Sequence, residues 1–92
     1  MIVSFADRET QALSEGKRVP RFESIERSAQ RKLIQLRIAQ TLADLAIPPG
    51  NNLETLKGNR SGQMSIRINN KWRICFIWTP AGPAEVEIVN HH

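Results

Sequence analysis

Apolar positions alternate in two runs in the second half of the chain. Met64, Ile66 and Ile68 recur at every second residue, and Trp72, Ile74, Phe76 and Trp78 do the same. That is the period of a strand with one buried face. Ser65 and Arg67 take the other phase of the first run, and Arg73, Cys75 and Ile77 that of the second. For both apolar sets to reach one side, Ile68 must oppose Trp72 and Arg67 must oppose Arg73. The spacing therefore predicts a three-residue loop, Asn69-Asn70-Lys71. A two-residue turn would set Arg67 against Ile74 and mix the faces. The second run is apolar on both faces, which predicts a central strand. After a turn over Thr79–Pro83, the stretch Ala84–Asn90 predicts a last strand. Val86 and Ile88 point inward there, Glu85, Glu87 and Val89 point outward, and His91 follows in the outward phase.

The first half has a different period. Ile25, Ala29, Leu33, Leu36, Ala39 and Ala43 recur at intervals of three and four, predicting one buried helix face across Ser24–Ala46. Ile34, Ile38, Leu42 and Leu45 widen that stripe. A helix of that length would outrun the strands it covers, so a break near Gln40–Thr41 is expected. Pro48-Pro49-Gly50 ends the helical part. Upstream, Ile2, Val3 and Phe5 predict a short first strand. Asp7 is placed to cap a short helix that Gly16 stops.

Ninety-two residues suit one domain, 1–92, with a thin core. Thirteen Lys and Arg stand against nine Asp and Glu, for a net charge of +4. This balance favours a polyanionic partner such as nucleic acid. The charge is concentrated: between Thr55 and Ala84 there is no acid, yet Lys57, Arg60, Arg67, Lys71 and Arg73 all lie there. The single cysteine, Cys75, excludes an internal disulfide and a cysteine-rich metal site, and reads as a buried inert thiol. The start of the chain has neither the basic region nor the apolar run of a signal peptide, and no stretch approaches a membrane span. A cytoplasmic protein without membrane association is expected.

The chemistry is narrowed mostly by what is missing. Gly58-x-x-x-Gly62 lacks the Lys-Ser/Thr of a phosphate-binding loop. His91-His92 has no third ligand to make a metal site. A basic sheet face, a basic loop and two terminal imidazoles remain. RNA cleavage needs a group to take the 2′-OH proton, a cation for charge on the phosphate, and a donor for the departing 5′ oxygen. Arginine suits the phosphate through planar paired donors, and histidine suits proton transfer near neutral pH. Glu54 offers a carboxylate and Lys57 a cation that would become a base if its pKa fell. Each residue also has a plainer reading. Arg73 can pair with Glu85 or Glu87 across the sheet, Lys57 and Arg60 can be solubilising charges, and Trp72 and Trp78 share the inward phase and belong to the core.

Several stretches together resemble the HigB-type toxins of the RelE/ParE superfamily, the toxin half of bacterial toxin–antitoxin modules. They are Pro48-Pro49-Gly50-Asn51, Leu53-Glu54-x-Leu56-Lys57-Gly58-Asn59-Arg60-x-Gly62-Gln63-x-Ser65-Ile66-Arg67 and Trp72-Arg73-Ile74-Cys75-Phe76. Arg31-Lys32-Leu33 and Val86-Glu87-Ile88-Val89-x-x-His92 add to them. The resemblance covers essentially the whole chain. It implies an α+β fold: a compact RelE-like domain, with an N-terminal strand and helices on one face of a mostly antiparallel sheet that ends in a three-stranded meander.

The resemblance also implies a ribosome-dependent endoribonuclease that cuts mRNA in the A site of the 70S ribosome, by 2′-OH attack on the adjacent phosphate and without metal or other cofactor. Its implied partner is a HigA-type helix-turn-helix antitoxin, through which alone operator DNA would be contacted. Arg73 and His92 match positions at or near the family's active site, and Lys57 matches a basic loop position. With Glu54 and His91 they form the candidate catalytic set. Arg60, Arg67, Lys71 and Asn90 form the candidate RNA- and ribosome-binding set. The chain departs from its relatives in having Glu54 where some carry histidine. It has Asn90-His91 where many carry aspartate and tyrosine, and Asn90 cannot titrate. A non-catalytic module that binds antitoxin or RNA, and a gyrase-directed toxin of the ParE branch, are the alternatives.

Overall fold

In a computed structural model that describes residues 1–90, the elements follow the two periods. The helices are α1 (Arg8–Ser14) and α2 (Glu26–Ile38), and the strands are β1 (Glu54–Thr55), β2 (Met64–Arg67), β3 (Trp72–Thr79) and β4 (Gly82–Asn90). Asp7 caps α1 by accepting the Thr10 N–H at 3.1 Å, which satisfies one donor that the first turn leaves open. Short 3-10 turns occupy Pro20–Ile25, Leu42–Ala46, Pro49–Asn51 and Gly58–Arg60. The expected break in the long helical region lies at Ala39–Thr41. Thr41 and Asp44 there form a reciprocal cap for the 3-10 turn that follows.

The strands form one antiparallel sheet in the order β1-β2-β3-β4. Arg67 pairs with Arg73, and the Ile68 N–H donates to the Trp72 carbonyl at 2.9 Å, so the loop is Asn69-Asn70-Lys71. Asn69 Oδ1 holds that loop by accepting the N–H groups of Lys71 and Trp72. β3 is paired on both sides, as its two-faced apolar pattern requires. Ile66, Ile74, Phe76, Val86 and Ile88 are fully buried beneath Leu13, Phe22, Ala29, Leu33 and Leu36 of the helical layer. Burying a side chain of this size contributes about 1.5–3 kcal/mol before chain entropy is counted. Trp72 and Trp78 are half-buried against this core, and Trp72 meets Phe22 edge-to-face at 5.6 Å.

Four expectations are corrected. The N-terminal stretch does not form a strand of its own. It lies parallel to β4 through one bridge, Phe5 with Val86, and through bonds from Val3 to Pro83, Val86 to Ser4 and Ala6 to Val86. The start of α1 at Arg8 leaves it no length to extend. It passes so close to Gly82 that any Cβ there would strike the Met1 carbonyl. Second, β1 pairs with β2 inside what was expected to be a loop. Third, Ile34 and Ile38 do not widen the buried stripe. They are 46% and 68% exposed, because only the narrower Ala29–Leu33–Leu36 face of α2 meets the sheet. Ala43 is exposed as well.

The fourth correction concerns Glu85. The β3–β4 register shifts by one residue between Cys75 and Ile77, and Glu85 takes up the extra position at φ 51°. This bulge turns Glu85 out of the sheet's open face. Its carboxylate accepts from the Ser4 hydroxyl, and its N–H donates to the same Ser4 oxygen.

Candidate functional site

The helices cover one face of the sheet. The segment from Leu56 to Gln63 folds over part of the other. Two left-handed glycines shape it, Gly58 at φ 68° and Gly62 at φ 91°. The Leu56 N–H to Gln63 carbonyl bond at 2.9 Å closes its base. Between this flap and the sheet lies an open cleft of about 340 Å³, within the size range of small-ligand sites. Glu54, Lys57, Asn59, Arg60, Arg73 and Asn90 supply its polar and charged lining, and Leu56, Ser65, Cys75 and Val89 the remainder.

The register explains why these groups meet. Glu54, Ser65, Cys75 and Glu87 form one row across all four strands, and Arg67, Arg73 and Val89 form the next. Side chains in both rows point away from the helices. Arg73 lies at the centre and is only 8% exposed. Its Nε donates to Ser65 Oγ at 2.8 Å, and one Nη donates to the Asn52 carbonyl at 2.8 Å. The same Nη is 3.9 Å from the Glu54 carboxylate. The carboxylate beside Arg73 is thus Glu54, and not Glu85 or Glu87 as cross-sheet pairing suggested. Among the described residues the other Nη has no hydrogen-bond partner.

Arg60 is held differently. Its guanidinium donates to Glu87 and to Gln63, each at 3.1 Å. Each carboxylate of the row therefore faces one arginine. Lys57 is exposed and lacks a salt bridge among the described residues. Lys57, Arg60 and Arg73 against Glu54 and Glu87 leave the site one positive charge in excess. Cys75 lies on the floor, 3% exposed. Burial pushes its thiol pKa up and Arg60 opposes the shift, which leaves a neutral group at physiological pH.

Of the residues singled out from the sequence, Glu54, Lys57, Arg60, Arg73 and Asn90 are brought together in the cleft. Arg67 stands beside Arg73 on the same face but outside the cleft lining, and its guanidinium donates to Asn70. Lys71 is exposed in the β2–β3 loop, away from the cleft. His91 and His92 lie outside the described residues. Ser65 and Asn52, which hold Arg73, were not singled out. The outward phase of Ser65, shared with Arg67, was the available signal for the first. For the second, the Asn51-Asn52 pair after Pro-Pro-Gly marks a turn that favours a left-handed asparagine, and Asn52 adopts φ 46°.

A second hollow, about 280 Å³, lies between the end of α1 and α2 over Leu13 and Leu33. Glu15 and Arg37 are its charged lining.

Comparison with known proteins bears on the cleft. A family model described as "RelE-like toxin of type II toxin-antitoxin system HigB" matches residues 4–92. A stretch of 55 residues is 51% identical to "Toxin HigB-1" of Vibrio cholerae serotype O1, covering 60% of this chain and 58% of that toxin. The match thus spans little more than half of the relative's length.

Proposed function

The chain belongs to the RelE-like HigB family of toxins from type II toxin–antitoxin systems, and on that premise we propose that it is an endoribonuclease that cuts mRNA on the ribosome. The observation that carries this reading is the anchored Arg73 guanidinium, which lines the cleft and among the described residues keeps one Nη without a hydrogen-bond partner. A phosphate bound there meets a cation whose plane is already set, so no reorganisation is needed as charge develops.

In the reaction the 2′-OH attacks the adjacent phosphorus. A 2′-O–P bond forms, the P–O5′ bond breaks, and a proton passes from the 2′ oxygen to the leaving 5′ oxygen. The nucleophile belongs to the RNA itself, so the protein supplies proton transfer and charge. Arg73 neutralises the phosphate. The base and the acid are drawn from Glu54, Lys57, His91 and His92, the two histidines on the strength of family resemblance. Arg60 and Asn90 line the path of the strand, while Arg67 and Lys71 extend the basic surface toward the ribosome. A cytoplasmic toxin of this kind acts under the control of a HigA-type helix-turn-helix antitoxin, and operator DNA is contacted through that partner.

Expression without antitoxin, followed by mapping of transcript 5′ ends, tests the reading. Cuts confined to translated frames and lost in Arg73→Ala support it. Growth arrest with intact transcripts and broken DNA would replace it with a gyrase-directed toxin. Neither cuts nor arrest would leave a binding module.

A further inference from the structure

Arg31-Lys32-Leu33 and Pro48-Pro49-Gly50-Asn51 contribute no side chain to the cleft lining. They meet instead where Lys32 bonds to Asn51. Asn51 is fully buried. Its Nδ2 donates to Gln35 Oε1 at 2.9 Å and to the Leu45 carbonyl at 3.0 Å, and its Oδ1 accepts from Lys32 Nζ at 2.5 Å. One side chain thus joins α2, the Leu42–Ala46 turn and the Pro49–Asn51 turn. The next residue, Asn52, is left-handed and turns its carbonyl to Arg73.

We propose that Lys32 and Asn51 are positioning residues for Arg73, carrying the orientation of α2 to the cleft through the Asn52 carbonyl. The inference rests on the reading of Arg73 as the phosphate-binding group. The connection is short: Lys32 Nζ to Asn51, one peptide unit to Asn52, and one hydrogen bond to Arg73. Its members are amply constrained. The Asn51 amide satisfies both its donor and acceptor sides, so the turn has little freedom to shift. Lys32 is well suited to this task. It is half-buried, has no salt bridge among the described residues, and its burial, with Arg31 beside it, lowers its pKa. Its ammonium is partly withdrawn from water where it donates to the Asn51 amide oxygen.

Two variants test this. Lys32→Met keeps the aliphatic stem but orphans Asn51 Oδ1, and Lys32→Arg restores a donor. The first readout is nitrogen-15 NMR of the Arg73 guanidinium, which needs no RNA. Separate, slowly exchanging Nη signals are expected in the native toxin. They should average in Lys32→Met while the backbone amide spectrum persists, and should return in Lys32→Arg. The second readout is cleavage on programmed ribosomes, where Lys32→Met should lower the single-turnover rate about tenfold with KM unchanged, as misplacement of a reacting group does. Should Lys32→Met not fold, Lys32→Gln, whose shorter side chain cannot span the same gap to Asn51, is read by the same spectra: averaged Nη signals support the coupling and separate ones refute it. Unchanged Nη signals in a folded Lys32→Met would overturn the proposal. Loss of cleavage in Arg73→Ala tests the underlying reading separately.

Discussion

Arg73 Nε donates to Ser65 Oγ at 2.8 Å, diagonally across the β2–β3 pair, and so the guanidinium plane is held from within the sheet. Ser65 is fully buried, so water does not compete for its hydroxyl. Ser65→Ala leaves a buried N–H of a charged group without a partner and should cost about 1–3 kcal/mol. Denaturant unfolding measures this, and cleavage should fall less than in Arg73→Ala. An unchanged midpoint would mean that the bond contributes nothing net.

Glu87 faces Arg60 at 3.1 Å and partly neutralises that cation. Both side chains are about a third exposed, so the pair itself adds at most about 1 kcal/mol to stability. Glu87→Gln should release Arg60, tighten RNA binding, and steepen the salt dependence of log K by about 0.7 for one further phosphate contact on a single strand. Titrations across a salt series check this. A slope that does not change would show that Arg60 does not reach phosphate.

Asp44 accepts the N–H groups of Gln40 and Thr41, and these bonds lower its pKa from the ordinary 3.8. A carboxylate whose folded pKa is depressed stabilises the fold above the unfolded value, and this contribution is lost as pH falls through the folded one. The melting temperature of Asp44→Asn should therefore lie below that of the native chain at neutral pH, and the gap should narrow as the pH falls below the ordinary carboxylate range. A gap that does not vary with pH would contradict the capping role.

Cys75 should resist alkylation. Burial holds its thiol protonated and shields it, and only the thiolate is a strong nucleophile. Iodoacetamide should label the native protein far more slowly than the urea-unfolded chain. Equal rates would mean that the cleft floor opens readily.

The sheet register was legible because counting alone constrains it. Two alternating runs and one odd loop place Arg67 opposite Arg73 without reference to any distant residue. The break after α2 was legible from length, and the buried Ala29–Leu33–Leu36 face from its period. Features that depend on contacts remote in sequence were not. β1 is two polar residues with no period of their own, and they are strand only because β2 offers its edge. The bulge requires Glu85 to adopt a positive φ, which no residue preference signals and which bonds to Ser4 at the other end of the chain support. Asn51 reads locally as a turn residue. Its role as a junction exists only once α2 packs beside it. The charged lining of the cleft was therefore nameable from the sequence, while the bonds that orient Arg73 arise only once the strands and the Pro49–Asn51 turn come together.

The most direct test is cleavage of a defined mRNA with purified 70S ribosomes, comparing the native toxin with Arg73→Ala and Arg73→Lys. Lysine keeps the charge but loses the planar donors that bond Ser65 and Asn52 together. The account predicts A-site cuts by the native protein only when ribosomes are present, and losses of about a hundredfold or more in both variants. Full cutting by Arg73→Ala, or equal cutting of naked RNA, would contradict it.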